Sequence, residues 1–131
     1  MLASAYRSYT LQKALYKLYV QEQGKAVADT RSARPGYSEH QTGLAVDLEP
    51  LDRTCEVQSC FGQTDEGQWL AAHAHTFGFI IRYTEGHEKT TGYMYEPWHI
   101  RYVGKDLATK VHAKGNQTLE AFFKLGKAGT Y

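Results

Sequence analysis

The sequence has few cysteines and prolines, no long apolar run and almost no net charge. Its 131 residues include two cysteines and three prolines. No apolar run approaches the roughly 20 residues of a bilayer-spanning helix, and no basic segment followed by a hydrophobic one marks a signal peptide. The 15 basic and 14 acidic residues give a formal net charge of +1, without blocks of like charge. This balance argues against broad electrostatic binding to nucleic acid or an anionic membrane.

The composition is that of one folded domain. With 42% hydrophobic and 22% charged residues, a chain of this length can bury a single core, so we expect one domain over residues 1–131. Cys55 and Cys60 flank four residues of a polar stretch. This spacing favours a small disulfide loop in an oxidising compartment over two free thiols, since a zinc knuckle would need further ligands nearby.

Four short segments have the pattern of strands. Residues 2–6 and 79–83 are short runs rich in apolar residues, and residues 98–103 alternate in polarity. Residues 44–48, with the sequence LAVDL, alternate most clearly. We therefore expect a sheet of short strands.

The LAVDL strand carries one charged residue, Asp47. Alternation places Leu44, Val46 and Leu48 on one face and Asp47 on the other, beside the small Ala45. We expect the leucine and valine side chains to be buried and Asp47 to face away from them.

Three segments have the pattern of helices. The first is predicted from the N-cap Ser8 to Gly24 and carries apolar residues at helical spacing, namely Leu11, Leu15, Leu18 and Tyr19. The second is predicted from the N-cap Thr64 to Gly78, with acidic residues in its first turn. A short closing helix is predicted within residues 118–125.

The segments between these elements have loop-like composition. Residues 25–42 mix proline, glycine, serine and charges, and residues 50–63 contain both cysteines. Because strands are separated by helices and no repeat is visible, the sequence predicts an α+β domain with a small central antiparallel sheet flanked by helices.

Three residues can supply the ligands of a catalytic metal site. Such a site commonly has three protein ligands and one open position for water, and His40, Asp47 and His99 are suitable types. A nearby carboxylate is needed for proton transfer, and Glu96 is the natural candidate. The ordinary alternatives are a surface histidine at 40 and an aspartate that caps a strand or forms an ion pair.

The spacing of Glu96 and His99 imposes a condition on this site. A regular strand would place residues three apart on opposite faces. Pro97 fixes its own φ, lacks an amide hydrogen and disfavours helix at Glu96. A local break there would turn both side chains into one cleft.

Two arginines and one tryptophan are further candidates. Arg7 and Arg34 can each hold a substrate carboxylate or polarise a carbonyl, although a surface salt bridge is the alternative for both. Arg7 is the favoured one, and Trp98 fits a core position better than a cleft wall. We expect no metal ligand among the remaining histidines, His73, His75, His87 and His112, of which the last two are expected to be solvated.

The sequence resembles a known peptidase family in three segments. Residues 4–12 (SAYRSYTLQ), 38–48 (SEHQTGLAVDL) and 95–104 (YEPWHIRYVG) resemble, in that order, signature segments of the VanY-type zinc D-alanyl-D-alanine carboxypeptidases and related L,D-carboxypeptidases. Hedgehog domains and D,D-dipeptidases belong to the same fold group. The resemblance covers about residues 2–125.

The resemblance implies a role for each matching residue. It implies one zinc ion bound by His40, Asp47 and His99, with Glu96 as catalytic base and acid and Arg7 as a contact of the scissile carbonyl or peptide carboxylate. It also implies Ser8, Gln12 and Ser38 as weaker candidates for substrate contact, and Arg34 and Trp98 are added to these from their residue types alone.

The implied reaction is hydrolysis of the C-terminal D-alanine from a peptidoglycan stem peptide, with D,D- or L,D-specificity. The alternatives are an endolysin-type endopeptidase and a non-catalytic, zinc-containing binding module. The implied setting is the cell envelope or extracellular side of a bacterium, and we expect a monomer without nucleic-acid partners. Family members usually have further sequence before the first strand, so we expect this chain to lack that N-terminal extension.

Overall fold

The computed structural model of the chain describes residues 1–126, which contain one four-stranded sheet. Every neighbouring pair of strands is antiparallel, and the order across the sheet is β1-β2-β4-β3. The strands are β1 (Leu2–Ser4), β2 (Ala45–Leu48), β3 (Phe79–Tyr83) and β4 (Glu96–Tyr102). Each overlaps a predicted strand, so the predicted sheet is confirmed.

Helices and 3₁₀ turns flank this sheet, which confirms the α+β class. The α-helices are α1 (Tyr9–Gln23), α2 (Lys25–Arg31), α3 (Asp65–His73), α4 (Glu88–Thr91), α5 (Lys105–Ala113) and α6 (Leu119–Phe122). The 3₁₀ turns are Glu39–Thr42, Ser59–Gln63 and Ala74–Phe77. In this part of the chain, no helix is both long enough and apolar enough to cross a membrane.

The ends of α1 are as predicted, but its buried side is so only in part. The Ser8 side chain accepts a hydrogen bond from the Leu11 amide, and Gly24 ends the helix at a φ of 80°. Leu11 and Leu18 are each 48% exposed, whereas Gln12 is fully buried. Leu15 and Tyr19 are half-buried, so only part of the apolar spacing faces the interior, and α1, which packs on α2, buries Gln12 most completely.

The loop predicted over residues 25–42 is also wrong in part. It contains α2 and the 3₁₀ turn Glu39–Thr42. The sequence analysis assigned no helix to residues 105–113, where α5 forms. Gly24 and Gly104 precede these two helices without a side-chain cap, which removes the usual sequence signal of a helix start.

One face of the sheet packs on α3 and the 3₁₀ turn before it. This core contains Phe61, Leu70, Ala74, Trp98 and Ile100, with Val46 and Leu48 packed against it. Val46 and Leu48, two of the three side chains expected on the apolar face of β2, therefore pack against the core as predicted. Leu44 is 41% exposed, because β2 begins one residue later and leaves Leu44 outside the core.

The other face of the sheet is divided between a second core and a cleft. Ile80 of β3 packs against Ala108 and Val111 of α5. Asp47 and His99 lie beside the cleft on this face, bounded by the chain between β1 and β2. The sheet therefore buries apolar residues on one side of the molecule while it presents titratable groups on the other.

Cys55 and Cys60 form a disulfide in the loop between β2 and α3. The sequence interpretation that favoured this bond is confirmed. Val57 lies within the closed loop and lines the cleft, so the disulfide restrains one wall of the candidate site.

Candidate metal centre

The centre is built around a cross-strand pair in the middle of the sheet. Asp47 of β2 lies directly opposite His99 of β4, and residues paired in this way have side chains close enough to interact. The Nδ1 atom of His99 is 3.0 Å from Oδ1 of Asp47. The antiparallel register therefore brings together two residues that are far apart in the sequence.

The third member, His40, comes from the 3₁₀ turn before β2. The backbone amide of Arg7 donates to the carbonyl of His40, and Nδ1 of His40 donates to the carbonyl of Ala5. These two bonds attach the turn to the chain that follows β1. They leave Nε2 of His40 at 3.2 Å from Oδ2 of Asp47.

These three residues form a buried group that fits a divalent metal. One ligand atom from each of His40, Asp47 and His99 lies within 4.8 Å of the others. A carbonyl oxygen can only accept, so Nδ1 of His40 donates to Ala5, and Nε2, which faces Asp47, is the nitrogen left to bind a metal. Two imidazoles and one carboxylate are a common zinc ligand set. The structure therefore places the three predicted ligands together.

Glu96 lies in the same cleft, beside an irregularity in the sheet. Ile81 is opposite Ile100, but Tyr83 is opposite Glu96, so β4 has two more residues than β3 between these pairs. This irregularity includes Pro97, as the sequence analysis anticipated. It allows Glu96 and His99 to line one cleft.

The environment of Glu96 favours its protonated form. The residue is 6% exposed, and burial raises the pKa of its carboxyl group to about 8, with the positive charge at His99 opposing and the Asp47 charge adding to the shift. Burial also raises the pKa of Asp47, but hydrogen bonds from His40 and His99 outweigh this effect and lower it below the ordinary value. Two carboxyl groups in one cleft thus differ in proton affinity.

The raised pKa of Glu96 predicts a pH-dependent cost to folding. The unfolded carboxyl loses its proton near the ordinary pKa of 4.5, whereas the folded one keeps it to about pH 8. The stability contributed by this proton is complete below pH 4.5 and is lost as the pH rises toward 8. In chelator-treated protein, Glu96→Gln should therefore gain in free energy of unfolding over wild type as pH rises from 5 to 8. Urea denaturation measures this gap, and a gap independent of pH would contradict the prediction.

Arg7 is held against the centre by three side chains. Its Nη2 atom is 2.8 Å from Oδ2 of Asp47 and 3.1 Å from Oγ of Ser4, and its Nη1 atom donates to Oε1 of Gln12 at 3.2 Å. The Gln12 amide donates in turn to Ser32 and Ala33. The guanidinium group is therefore oriented by protein contacts before any substrate arrives.

A third carboxyl group of the cleft, Glu39, contacts Nε2 of His99, the ring nitrogen opposite the one that faces Asp47. Burial opposes its ionisation, but a hydrogen bond from His99 and the charge of Arg82 lower the pKa of Glu39 to about 2. His99 is held between Asp47 and Glu39, and although burial lowers the pKa of the imidazole, its hydrogen bonds to both carboxylates raise it to about 9.

The family-model comparison matches most of this chain. The VanY model, described as D-alanyl-D-alanine carboxypeptidase, matches residues 1–105. The chain belongs to the VanY D-alanyl-D-alanine carboxypeptidase family. All three candidate ligands and Glu96 lie within the matched residues.

Individual proteins are similar to nearly the whole of this chain. The putative carboxypeptidase YodJ of Bacillus subtilis is 46% identical over 92% of this chain, which spans 44% of YodJ. An L,D-carboxypeptidase, DacB from Streptococcus pneumoniae, has 47% identity and a TM-score of 0.81 over 95% of this chain and 64% of its own. A mutant of the vancomycin-resistance D,D-pentapeptidase VanY, in complex with Zn(II), has 37% identity and a TM-score of 0.79 over 94% of this chain and 70% of its own. This chain therefore corresponds to part of YodJ and of DacB.

The predicted substrate contacts fall into two groups. Ser38 and Trp98 line the cleft, and Trp98 also belongs to the core, as the sequence analysis favoured. Ser8 caps α1, and Arg34 pairs with Asp29 at 2.9 Å. Neither lines the cleft as the structure describes it.

Direct substrate contact also does not fit Gln12. The residue is fully buried and both ends of its amide are hydrogen-bonded within the protein. Its connection to the cleft runs through Arg7.

The charged residues beside Nε2 of His99 are not among the site residues predicted from the sequence. Glu39 forms ion pairs with Arg82 and with Arg101, and Tyr83 and Tyr93 also line the cleft. The available signal was an arginine inside the apolar strand FIIRY, because charged residues are seldom buried without a partner.

The remaining histidines lie outside the three-residue group. His87 is exposed. His112 is half-buried, with its ring stacked on that of His75 at a centroid distance of 3.7 Å.

Proposed function

We propose that this protein is a zinc-dependent carboxypeptidase that hydrolyses the C-terminal D-alanine of peptidoglycan stem peptides. The observation that carries the proposal is a buried His40, Asp47 and His99 group that shares a cleft with Glu96, a carboxyl group of raised pKa. A binding module without catalysis would not need such a group beside its metal. The D-alanyl-D-alanine and L,D-carboxypeptidase names of the relatives support the same reaction class.

Zinc is the metal that this donor set and the Zn(II)-bound VanY relative favour. His40, Asp47 and His99 would hold it. A zinc ion bound there would supply Lewis acidity, which lowers the pKa of water and polarises the carbonyl group of the scissile bond.

Glu96 and Arg7 carry the remaining steps of the proposed mechanism. Glu96 accepts the proton of the attacking water and donates a proton to the leaving amine of D-alanine, so the carboxyl group ends the cycle in its initial state. Burial raises the pKa of Glu96, and the positive charge of a bound metal would lower it again, so the carboxylate could take part in both transfers near neutral pH. Arg7, held by Gln12 and Ser4, stabilises the negative charge that develops on the carbonyl oxygen.

Incubation with defined stem peptides tests this function directly. We expect zinc-loaded protein to release one D-alanine from a pentapeptide, a tetrapeptide or both, as measured by mass spectrometry of the products. Loss from the pentapeptide alone assigns D,D-specificity, and loss from the tetrapeptide alone assigns L,D-specificity. Cleavage within the stem, or no cleavage of either peptide by zinc-loaded protein, would contradict the proposal.

The proposed cellular location follows from the proposed substrate. Peptidoglycan lies outside the cytoplasmic membrane, so we propose that the protein acts in the bacterial cell envelope. The Cys55–Cys60 disulfide is compatible with this location, because disulfides persist under oxidising conditions. We further propose that residues 1–131 act as one catalytic domain and as a monomer.

A further inference from the structure

The contacts of Glu39 differ between its two carboxylate oxygens. Oε1 accepts a hydrogen bond from Nε of Arg82 at 2.9 Å and lies 3.3 Å from Nη1 of Arg101. Oε2 lies 3.3 Å from Nε2 of His99. Two arginines therefore hold one oxygen, which leaves the other directed at the imidazole.

This arrangement is anchored from a distant part of the chain. Both terminal nitrogens of Arg82 donate to the carboxylate of Glu120 in α6, at 3.1 and 2.6 Å. Paired hydrogen bonds of this kind fix the plane of a guanidinium group as well as its position. Glu39, Arg82 and Glu120 are all largely buried, so water competes little for these bonds.

We propose that Glu39 is a positioning residue that directs Nδ1 of His99 to the metal. By accepting the hydrogen on Nε2, its carboxylate fixes the orientation of the ring, and Nδ1 then faces Asp47. A histidine ligand must lose the proton at the nitrogen that binds metal, and a carboxylate on the opposite nitrogen selects which proton remains. This inference rests on the proposed zinc site but not on the substrate or the reaction.

In the two histidines of the centre, different acceptors fix which ring nitrogen carries the hydrogen. His40 donates Nδ1 hydrogen to the backbone carbonyl of Ala5 and directs Nε2 to Asp47. In His99 the two nitrogens exchange roles. Nε2 donates to the side chain of Glu39, and Nδ1 faces Asp47. Substitution can remove the second acceptor but not the first, so Glu39 offers a direct test.

The first measurement is zinc affinity by competition with a chelating indicator. We expect Glu39→Gln to weaken zinc binding about 10- to 100-fold, the usual effect of losing an outer partner of a histidine ligand. The matched control is Glu22→Gln, which alters an exposed carboxylate of α1 and should stay within about twofold of wild type. A purely structural role for the Glu39 ion pairs would lower the melting temperature of zinc-free protein without changing zinc affinity.

The second measurement uses wild-type protein and holds even where Glu39→Gln does not fold. Long-range proton–nitrogen NMR of the zinc-loaded protein should show hydrogen on Nε2 of His99 and metal at Nδ1. Metal at Nε2, or zinc affinity unchanged in folded Glu39→Gln, would overturn the role of Glu39 alone. Wild-type protein that binds no zinc would instead contradict the proposed metal site, and this inference with it.

Discussion

Glu96→Gln is expected to lower kcat/KM for D-alanine release about 1000-fold or more while the protein keeps one zinc ion. Glutamine has nearly the shape of glutamate but can neither accept the proton of the attacking water nor return one to the leaving amine. General acid–base groups commonly contribute about 10²- to 10⁴-fold, and Glu96 is proposed to act in both directions. Because Glu96 is not part of the group that fits a metal, the variant should separate proton transfer from metal binding.

The measurement combines D-alanine release from a stem peptide with the zinc content of the same sample. Glu66→Gln is a suitable control, because it removes an exposed carboxylate at the start of α3, outside the cleft. It should leave both values unchanged. If Glu96→Gln retained activity close to wild type, another group would have to move the proton, and the proposed mechanism would be wrong.

His40→Ala is expected to remove both zinc and hydrolysis. It takes away one of three candidate ligands, and loss of an outer partner alone typically weakens metal binding 10- to 100-fold. Loss of a ligand itself should therefore weaken zinc binding by more than about 100-fold. Asp47 would also lose the nearby Nε2 atom of His40.

Zinc content after dialysis, measured by elemental mass spectrometry, checks this prediction. The control His87→Ala removes an exposed histidine that lies outside the cleft and should leave one zinc per chain. Because His40 is buried, the circular dichroism of the variant must show that the fold persists. A folded His40→Ala protein with undiminished zinc would place the metal elsewhere.

Together these variants separate the two parts of the proposed site. Loss of His40 should abolish zinc binding and activity together, whereas loss of the Glu96 carboxylate should abolish activity alone. The Glu39→Gln variant should fall between them, with weaker zinc binding but an intact set of direct ligands.

Much of the fold could be predicted because its signals are local. The side chain of Ser8 and the positive φ of Gly24 define α1 through contacts within a few residues. The alternation of β2 likewise placed Asp47 opposite the apolar side chains. The start of α5 carries no side-chain cap, and Leu11 and Leu18 of α1 are exposed despite their helical spacing, so the local pattern was insufficient at both.

The sequence by itself determined which residue types were available to the centre and on which face of its strand Asp47 would lie. Only the tertiary structure decided that β2 pairs with β4 so that Asp47 meets His99, and that Arg82 and Arg101 hold Glu39 beside Nε2 of that histidine. The physical reason is that periodicity reports the direction of a side chain relative to its own backbone. The partner it meets depends on strand order and register, which are set by contacts between residues far apart in the chain.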